Sequence, residues 1–261
     1  MTRVRVEIAE HVARVTLARA EKLNAVDPEM LEAIIAAGAE VDRADVRAVV
    51  LAGEGRAFCA GLDVAGFAEM AAGDPEEMIL PRTHGAANRW QQAALVWHRL
   101  PVPVIAALQG PVYGAGLQIA AGADIRIAAP DAELAVMEMK WGLVPDMGGM
   151  VLLPRLLRSD ALRRLTYTAR PVPAEEAARL GLVTELAPDP LAAAEALAHE
   201  IAGRSPSAVR AAKRLIGLAE SGAAAAEVLM AESREQAGLI GGADQREAVT
   251  AQAAGRPPRF G

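Results

Sequence analysis

The chain has 261 residues, of which 52% are hydrophobic and 23% are charged, and this balance excludes a disordered chain. Its net charge of −6 argues against a nucleic-acid partner held by a basic surface. The single cysteine, Cys59, excludes an intramolecular disulfide and a thiolate-rich zinc site. There is no apolar run of membrane-spanning length and no secretory signal, so the sequence predicts a soluble, cytoplasmic protein without a membrane partner.

The amino-terminal quarter carries clear strand and helix patterns. Alternating apolar residues in Val4–Ile8 and again in Val12–Leu17 predict two short strands joined by a turn near Glu10. Asp27-Pro28-Glu29 predicts a helix start, with an N-cap, a proline at the first helical position and a carboxylate in the first turn. The apolar run Ala48–Ala52 is typical of a strand buried on both faces.

Strands and helices then alternate. The stretch Pro75–Leu100 predicts a helix that is interrupted near Pro81, and Leu117–Ala121 predicts a short helix. Three apolar runs predict strands: Val104–Leu108, Ile125–Ala128 and Leu134–Met137. The alternation indicates an α/β fold with a mostly parallel sheet and ligands at the carboxyl ends of its strands.

The last third of the sequence is predicted to be helical. After Asp146 only Leu182–Leu186 has a strand pattern, and three alanine-rich segments read as amphipathic helices: Pro190–Gly203, Ser207–Ser221 and Ala223–Gly238. The shift in composition near residue 190 divides the chain into a core, residues 1–190, and a C-terminal helical region, residues 191–261.

Two glycine-rich loops, Arg56–Asp63 and Gln109–Leu117, follow predicted strands. Small residues let backbone N–H groups approach a ligand closely, and the helix after Gly114-Ala115-Gly116 adds its positive end. Two such N–H groups aimed at one carbonyl oxygen would form an oxyanion hole. The alternative is that the glycines only make tight turns, and either loop alone is weak evidence.

Eight distinct segments follow one another in a characteristic order along the chain: Lys22–Val26, Ala57–Asp63, Pro103–Gly110, Gly114–Gly116, Ala123–Ile125, Gly142–Gly149, Ala174–Val183 and Arg256–Phe260. Together they resemble the crotonase (enoyl-CoA hydratase/isomerase) superfamily over essentially the whole chain. The resemblance implies a crotonase-like core of repeated ββα units in a spiral, which binds acyl-CoA, and a C-terminal α-helical trimerisation region. It implies an acyl-CoA thioester as substrate, a homotrimer or dimer of trimers, and no metal or redox cofactor.

The resemblance also assigns roles to individual residues. The backbone N–H groups of Leu62 and Ala115 would polarise the thioester carbonyl and stabilise its enolate, although the family often has glycine at the position of Ala115. A further group would bind the substrate or its CoA part: Lys22, Leu23, Ala25, Ala60, Asp63 and Gln118.

The acid–base residues decide which reaction the resemblance implies. The family's hydratases use two glutamates, and the first of these positions holds Gln118, which cannot act as a carboxylate base. The second position holds Glu138, whose apolar neighbours could raise its pKa, unless it is merely a surface carboxylate. Asp146 matches an aspartate found in several isomerases of the family, although it could instead be only a helix N-cap.

These residues favour enoyl-CoA double-bond isomerisation by Glu138 and Asp146. The alternatives are an enoyl-CoA hydratase that uses Glu138 and a noncatalytic acyl-CoA-binding paralogue. A dehalogenase ranks lower, because Glu138 stands where that enzyme has an aromatic residue. Cys59 is interpreted as a packing residue, and the acyl pocket is expected to take its walls from the region between Val64 and Leu100.

Overall fold

The computed structural model describes residues 2–66 and 72–261. It begins with two antiparallel strands, β1 (Val4–Ala9) and β2 (Val12–Leu17). Glu10 and His11 form the turn between them, at φ values of 48° and 68°. The predicted pair of strands and its turn are confirmed.

Helix α1 (Pro28–Val41) begins where its sequence predicts. The Asp27 side chain accepts a hydrogen bond from the Met30 N–H at 2.7 Å, and proline occupies the first turn. Leu31 and Ile34 lie on the face that is fully buried. The cap and this apolar face together explain why the helix starts at residue 28 and packs on the sheet.

The remaining strands form two sheets. In chain order they are β3 (Ala48–Gly53), β4 (Val104–Leu108), β5 (Pro111–Tyr113), β6 (Ile125–Ala128), β7 (Glu133–Ala135), β8 (Val172–Pro173) and β9 (Glu185–Leu186). Among the described residues, the larger sheet has the order β1-β2-β3-β4-β6-β9 and is parallel from β2 onward. The smaller sheet has the order β5-β7-β8. The loops after β3 and β4 therefore leave the same edge of the larger sheet.

The other helices connect and cover these sheets. In chain order they are α2 (Pro75–Ile79), α3 (Arg89–Arg99), α4 (Ala115–Ala121), α5 (Gly149–Leu152), α6 (Ser159–Thr168), α7 (Ala174–Leu180), α8 (Pro190–Ala202), α9 (Pro206–Glu220), α10 (Ala225–Leu239) and α11 (Ala243–Ala253). The three predicted C-terminal helices are confirmed as α8, α9 and α10. In the described part of the chain, no helix is both long enough and apolar enough to cross a membrane.

The predicted interruption of the helix near Pro81 is confirmed. The chain is not helical between α2 and α3, because Pro81 has no N–H and Asn88 starts α3 with a reciprocal capping box to Gln91. The prediction of a single strand pattern after Asp146 was wrong, because β8 pairs antiparallel with β7. A two-residue strand is too short to leave a periodic pattern.

Side chains of β3 are buried on both faces of the larger sheet, as predicted. Val49 and Leu51 belong to the main core cluster, which also contains α1, α3 and α4, whereas Ala48 and Val50 face a second cluster. That second cluster includes Ala194, Ala198 and Ala202 of α8. The first helix of the C-terminal region therefore packs directly on the core, while α10 has no buried residue. The boundary at residue 190 stays a prediction.

Candidate functional site

The two glycine-rich loops lie side by side at the carboxyl edge of the larger sheet. The Phe58 N–H donates to the Gln109 carbonyl at 2.8 Å, and the Tyr113 N–H donates to the Cys59 carbonyl at 3.0 Å. Gly116 makes this contact possible, because a Cβ at that position would lie 2.3 Å from the Cys59 oxygen. The sequence-based expectation that the loops are neighbours is confirmed.

A third segment joins the first loop from its other side. The Ala60 N–H donates to the Leu23 carbonyl at 3.0 Å, and the Val26 N–H donates to the Gly61 carbonyl at 2.8 Å. Val26 and Leu62 thereby form an isolated parallel bridge. The segment predicted to bind CoA is thus part of the same edge as the glycine-rich loops.

Leu62 and Ala115 carry the two N–H groups that the family resemblance singles out. Within residues 2–66 and 72–261, neither N–H donates a hydrogen bond to a protein acceptor. Gly61, at a φ of 102°, brings the two segments together, because a Cβ there would lie 3.1 Å from the Tyr113 oxygen and 4.0 Å from the Ala115 nitrogen. An oxyanion hole requires two N–H groups that lie on adjoining segments and are free to donate to a ligand oxygen, as these two are in the described residues.

The Glu138 carboxyl lies next to the second donor. It belongs to a short 3₁₀ turn, Glu138–Trp141, and its side chain is only 8% exposed. A Cβ on Gly114, the residue before Ala115, would lie 3.4 Å from Glu138 Oε1. Among the described residues, Oε2 is buried and has no hydrogen-bond partner. Glu138 is therefore not the surface carboxylate that the sequence left open.

Gln118 connects Glu138 to the segment that follows it. Its Nε2 donates to Glu138 Oε1 at 2.6 Å, and its Oε1 accepts from the Met147 N–H at 2.8 Å and the Gly149 N–H at 2.9 Å. The side chain is 2% exposed. The amide is thus hydrogen-bonded to protein groups at both ends. The sequence had predicted only that Gln118 binds the substrate, and these bonds within the protein were not foreseen.

Asp146 is half-buried on the segment between Glu138 and α5. The N-cap of α5 is Gly148, which makes no side-chain capping bond, so the alternative role of Asp146 as a helix cap is wrong. Burial raises the pKa of Asp146. Burial also raises the pKa of Glu138, and repulsion from the Asp146 carboxylate acts in the same direction, against the lowering effects of the Glu138 backbone N–H, the Gln118 side chain and the Met137 backbone N–H. Two carboxyls with raised pKa values suit proton transfer.

The remaining predicted binding residues lie along the edge described above. Lys22 is exposed, and Leu23, Ala25 and Ala60 are half-buried. The Asp63 carboxylate is held by the protein, because it accepts from the Ala65 N–H at 3.1 Å and pairs with Arg19 at 2.7 Å. These bonds lower the pKa of Asp63. Its role toward a substrate stays a prediction.

A cavity of about 810 Å³ opens beside Leu62. Much of its wall comes from residues after Val64, as expected, including Met78, Pro81 and Trp90. Residues 67–71, which the sequence also assigned to this wall, lie outside the described residues. Of the proposed catalytic residues, Leu62 lines the cavity, whereas Ala115, Glu138 and Asp146 do not.

Two further kinds of site would be a reactive thiol at Cys59 and a metal-binding group of side chains. Cys59 is fully buried, and this burial raises the pKa of its thiol to about 12, as suits a packing residue. Among the described residues, no group of three or more His, Cys, Asp or Glu side chains could hold a metal ion.

Arg19 and the role of Asn24 were not predicted from the sequence. Arg19 is 8% exposed, and besides pairing with Asp63 it donates to the Ala25 carbonyl at 2.9 Å. The buried Asn24 side chain accepts from the Arg19 N–H at 2.9 Å and donates to the Glu54 and Ala57 carbonyls at 3.0 and 2.9 Å. A polar residue inside the apolar-flanked Lys22–Val26 segment was the available signal.

We expect Asn24→Ala to lower the free energy of unfolding by about 2–4 kcal/mol, because it leaves buried backbone groups without partners. Asn24 also has a φ of 56°, which asparagine tolerates better than alanine. Urea unfolding measures the change. Gln252→Ala, at an exposed position of α11, is the control and should change stability by less than about 0.5 kcal/mol. Equal stability of the two variants would contradict the role of Asn24.

Known proteins resemble this chain in sequence and structure. The family model for enoyl-CoA hydratase/isomerase matches residues 7–261. A Rhodobacter capsulatus protein named probable enoyl-CoA hydratase is 36% identical over 264 residues, with 98% of this chain and 97% of the relative aligned. The human mitochondrial Delta(3,5)-Delta(2,4)-dienoyl-CoA isomerase is 37% identical over 212 residues, which cover 78% of this chain and 65% of the isomerase.

A solved structure extends the similarity to the fold. The enoyl-CoA hydratase from Bacillus anthracis superposes with a TM-score of 0.88 at 31% identity, covering 99% of this chain and 98% of that one. The predicted crotonase-like α/β fold is therefore confirmed. The family to which the matching model belongs acts on acyl-CoA substrates. On this evidence, the chain belongs to the enoyl-CoA hydratase/isomerase family.

Proposed function

We propose that the protein is an enoyl-CoA isomerase that moves a carbon–carbon double bond from the 3-position to the 2-position of an acyl-CoA thioester. One observation carries the proposal. The buried Glu138 carboxyl, with one oxygen unpartnered in the described structure, lies beside the uncommitted N–H of Ala115. A carboxyl base next to an oxyanion donor suits the removal of a proton beside a thioester carbonyl.

The reaction needs one proton to leave and one to return. The thioester oxygen accepts hydrogen bonds from the Leu62 and Ala115 N–H groups, so removal of a C2 proton by Glu138 gives a stabilised enolate. The electrons then shift, the double bond forms between C2 and C3, and Asp146 or Glu138 returns a proton at C4. No water is consumed, and the carboxyls together regain their starting proton count.

The CoA part of the substrate fits the other end of the site. The exposed ammonium of Lys22 supplies a positive charge for a phosphate, which matters in a chain of net charge −6. Leu23, Ala25 and Ala60 lie on the same edge and would contact the pantetheine arm. No cofactor beyond the substrate's own CoA enters this scheme.

Hydration is the second candidate, because the relative with the longest alignment reported above is named a probable hydratase. In that case Glu138 and Asp146 would activate a water molecule. Gln118 stands against it, because an amide cannot replace the second carboxylate base. Its bonds to protein groups at both ends leave its oxygen no free role toward water.

Incubation with 3-enoyl-CoA and 2-enoyl-CoA thioesters in heavy-oxygen water separates these candidates. We expect a 2-enoyl product from the 3-enoyl substrate, without incorporated solvent oxygen, as followed by mass spectrometry. A 3-hydroxyacyl product that carries solvent oxygen would establish hydration and overturn the proposal. Binding of acyl-CoA without turnover on any thioester would instead indicate a noncatalytic paralogue.

The assembly and location belong to the same proposal. Apolar side chains stand exposed on or beside the C-terminal helices, including Leu229, Met230 and Ile240 at 60%, 53% and 64%. Subunit contacts in a trimer or a dimer of trimers would cover such a surface. We place the enzyme in the cytoplasm, where acyl-CoA thioesters would be available to it.

A further inference from the structure

We propose that Gln118 is a positioning residue that determines which oxygen of Glu138 exchanges the proton. The inference rests on the proposed function, in which Glu138 is the base. The evidence is that both ends of the buried Gln118 amide are hydrogen-bonded. One end donates to the Glu138 carboxyl, and the other accepts from the backbone that follows Asp146.

The orientation of the amide is fixed by its surroundings. Backbone N–H groups can only donate, so the atom that faces the Met147 and Gly149 nitrogens, at 2.8 and 2.9 Å, must be the amide oxygen. The other end is then the NH₂ group, which donates to Glu138 Oε1 at 2.6 Å. No rotation of the amide by 180° satisfies all three contacts.

This orientation makes the two oxygens of Glu138 unequal. The carbonyl oxygen of a protonated carboxyl accepts a hydrogen bond more strongly than its hydroxyl oxygen does, so the bond from the Gln118 NH₂ group favours Oε1 as the oxygen without the proton. The proton is then taken up and released preferentially at Oε2, the oxygen that is buried without a side-chain or backbone partner at hydrogen-bond geometry in the described structure. Gln118 thereby selects one of the two oxygens of the carboxyl as the site of protonation.

The same amide holds the second carboxyl in place. Gly149 permits the contact, because a Cβ there would lie 2.6 Å from Gln118 Oε1. The segment Met147–Gly149 directly follows Asp146, whose carboxylate charge acts on Glu138. Lys140, on the same turn as Glu138, has its ammonium 5.5 Å from the Trp141 ring centre and is exposed. One side chain thus bonds both to Glu138 and to the backbone that directly follows Asp146.

A carboxylate at position 118 would behave differently from the amide. It could still accept hydrogen bonds from the Met147 and Gly149 N–H groups, so the backbone anchor would survive. Its other oxygen, however, would face Glu138 Oε1 at the present 2.6 Å, where two carboxylates must share a proton. A purely structural anchor would tolerate this change, whereas a residue that tunes Glu138 would not.

The test is Gln118→Glu, with Gln252→Glu on the exposed face of α11 as the charge-matched control. The Glu138 carboxyl is titrated by ¹³C NMR in the parent and both variants, with Glu138→Gln assigning its signal. We expect Gln118→Glu to raise the pKa of Glu138 by about one unit or more. The low-pH limb of kcat should move by the same amount, with KM changed less than about threefold. The control should leave both unchanged.

A measurement on the parent covers the case in which the variant does not fold. The Gln118 side-chain NH₂ signal in ¹H–¹⁵N spectra should shift with the Glu138 titration, and Glu138→Gln should abolish that shift. An unchanged Glu138 titration in a folded Gln118→Glu protein, or an NH₂ signal independent of pH, overturns the inference. Absence of turnover in the parent would defeat the proposed function alone, because both NMR readouts remain.

Discussion

Glu138→Gln is expected to lower kcat by about 10³-fold while the Kd of a nonreacting acyl-CoA changes by less than about threefold. The amide keeps the size of the side chain and can still accept from Gln118 Nε2, so the site should keep its shape. It cannot take a proton at the buried Oε2 position. Steady-state kinetics on a 3-enoyl-CoA and calorimetric titration of a saturated acyl-CoA measure the two quantities.

The matched control is Glu175→Gln, in the first turn of α7, where the carboxyl is exposed. It makes the same chemical change and should leave kcat within about twofold. A Glu138→Gln enzyme with more than about a tenth of the parent kcat would contradict the role of Glu138 as the base. Equal loss of activity in both variants would also contradict it.

The same substitution should stabilise the fold at neutral pH. The folded-state pKa of Glu138 lies above its unfolded value, because burial disfavours the charged form. The folded state therefore binds the proton more tightly, and the contribution of Glu138 to stability falls as pH rises from the unfolded pKa through the folded pKa. Glu138→Gln removes that loss, so its Tm should exceed the parent's at about pH 8 and approach it at about pH 4. Lower activity with higher stability is the signature of a strained active-site group.

Local sequence patterns were sufficient to predict the two glycine-containing loops and the elements around them, whereas the resemblance was needed to name Leu62 and Ala115 as the proposed oxyanion donors. Leu62 and Ala115 follow buried strands in glycine-containing loops, and parallel strands bring such loops to one edge. Glu138 could be placed because the resemblance fixed its position relative to the second loop. The amide contacts of Gln118 could not be predicted, because its partners lie 20 to 31 residues away along the chain.

The sequence indicated the region that supplies the cavity wall but not its individual residues, for a related reason. The wall residues come from a stretch of chain that has no single periodic pattern, because α2 ends before Pro81 and the next helix, α3, begins only at Arg89. Arg19 was missed because its partner Asp63 lies 44 residues away along the chain and pairs with it only in the folded structure. Contacts that depend on tertiary packing leave no local signature.

The second large effect is expected for Ala115→Pro, which should lower kcat/KM by about 10²–10³-fold. Ala115 is the first residue of α4, a position where proline fits the helix and where its missing N–H breaks no helical bond. The parent N–H donates to no protein acceptor in the described residues. The substitution therefore removes the proposed oxyanion donor while leaving the hydrogen bonds of the fold intact.

The control and one further ligand separate loss of the donor from obstruction by the proline ring. Ala115→Gly keeps the N–H, matches the glycine that the family often has there, and should stay within about fivefold of the parent. An acyl-CoA thioether has no carbonyl oxygen, so it should bind the parent and Ala115→Pro equally, whereas a thioester should bind the variant more weakly. Equal weakening of both ligands would mean that the ring blocks the site. Unchanged kcat/KM would mean that Ala115 is not an oxyanion donor.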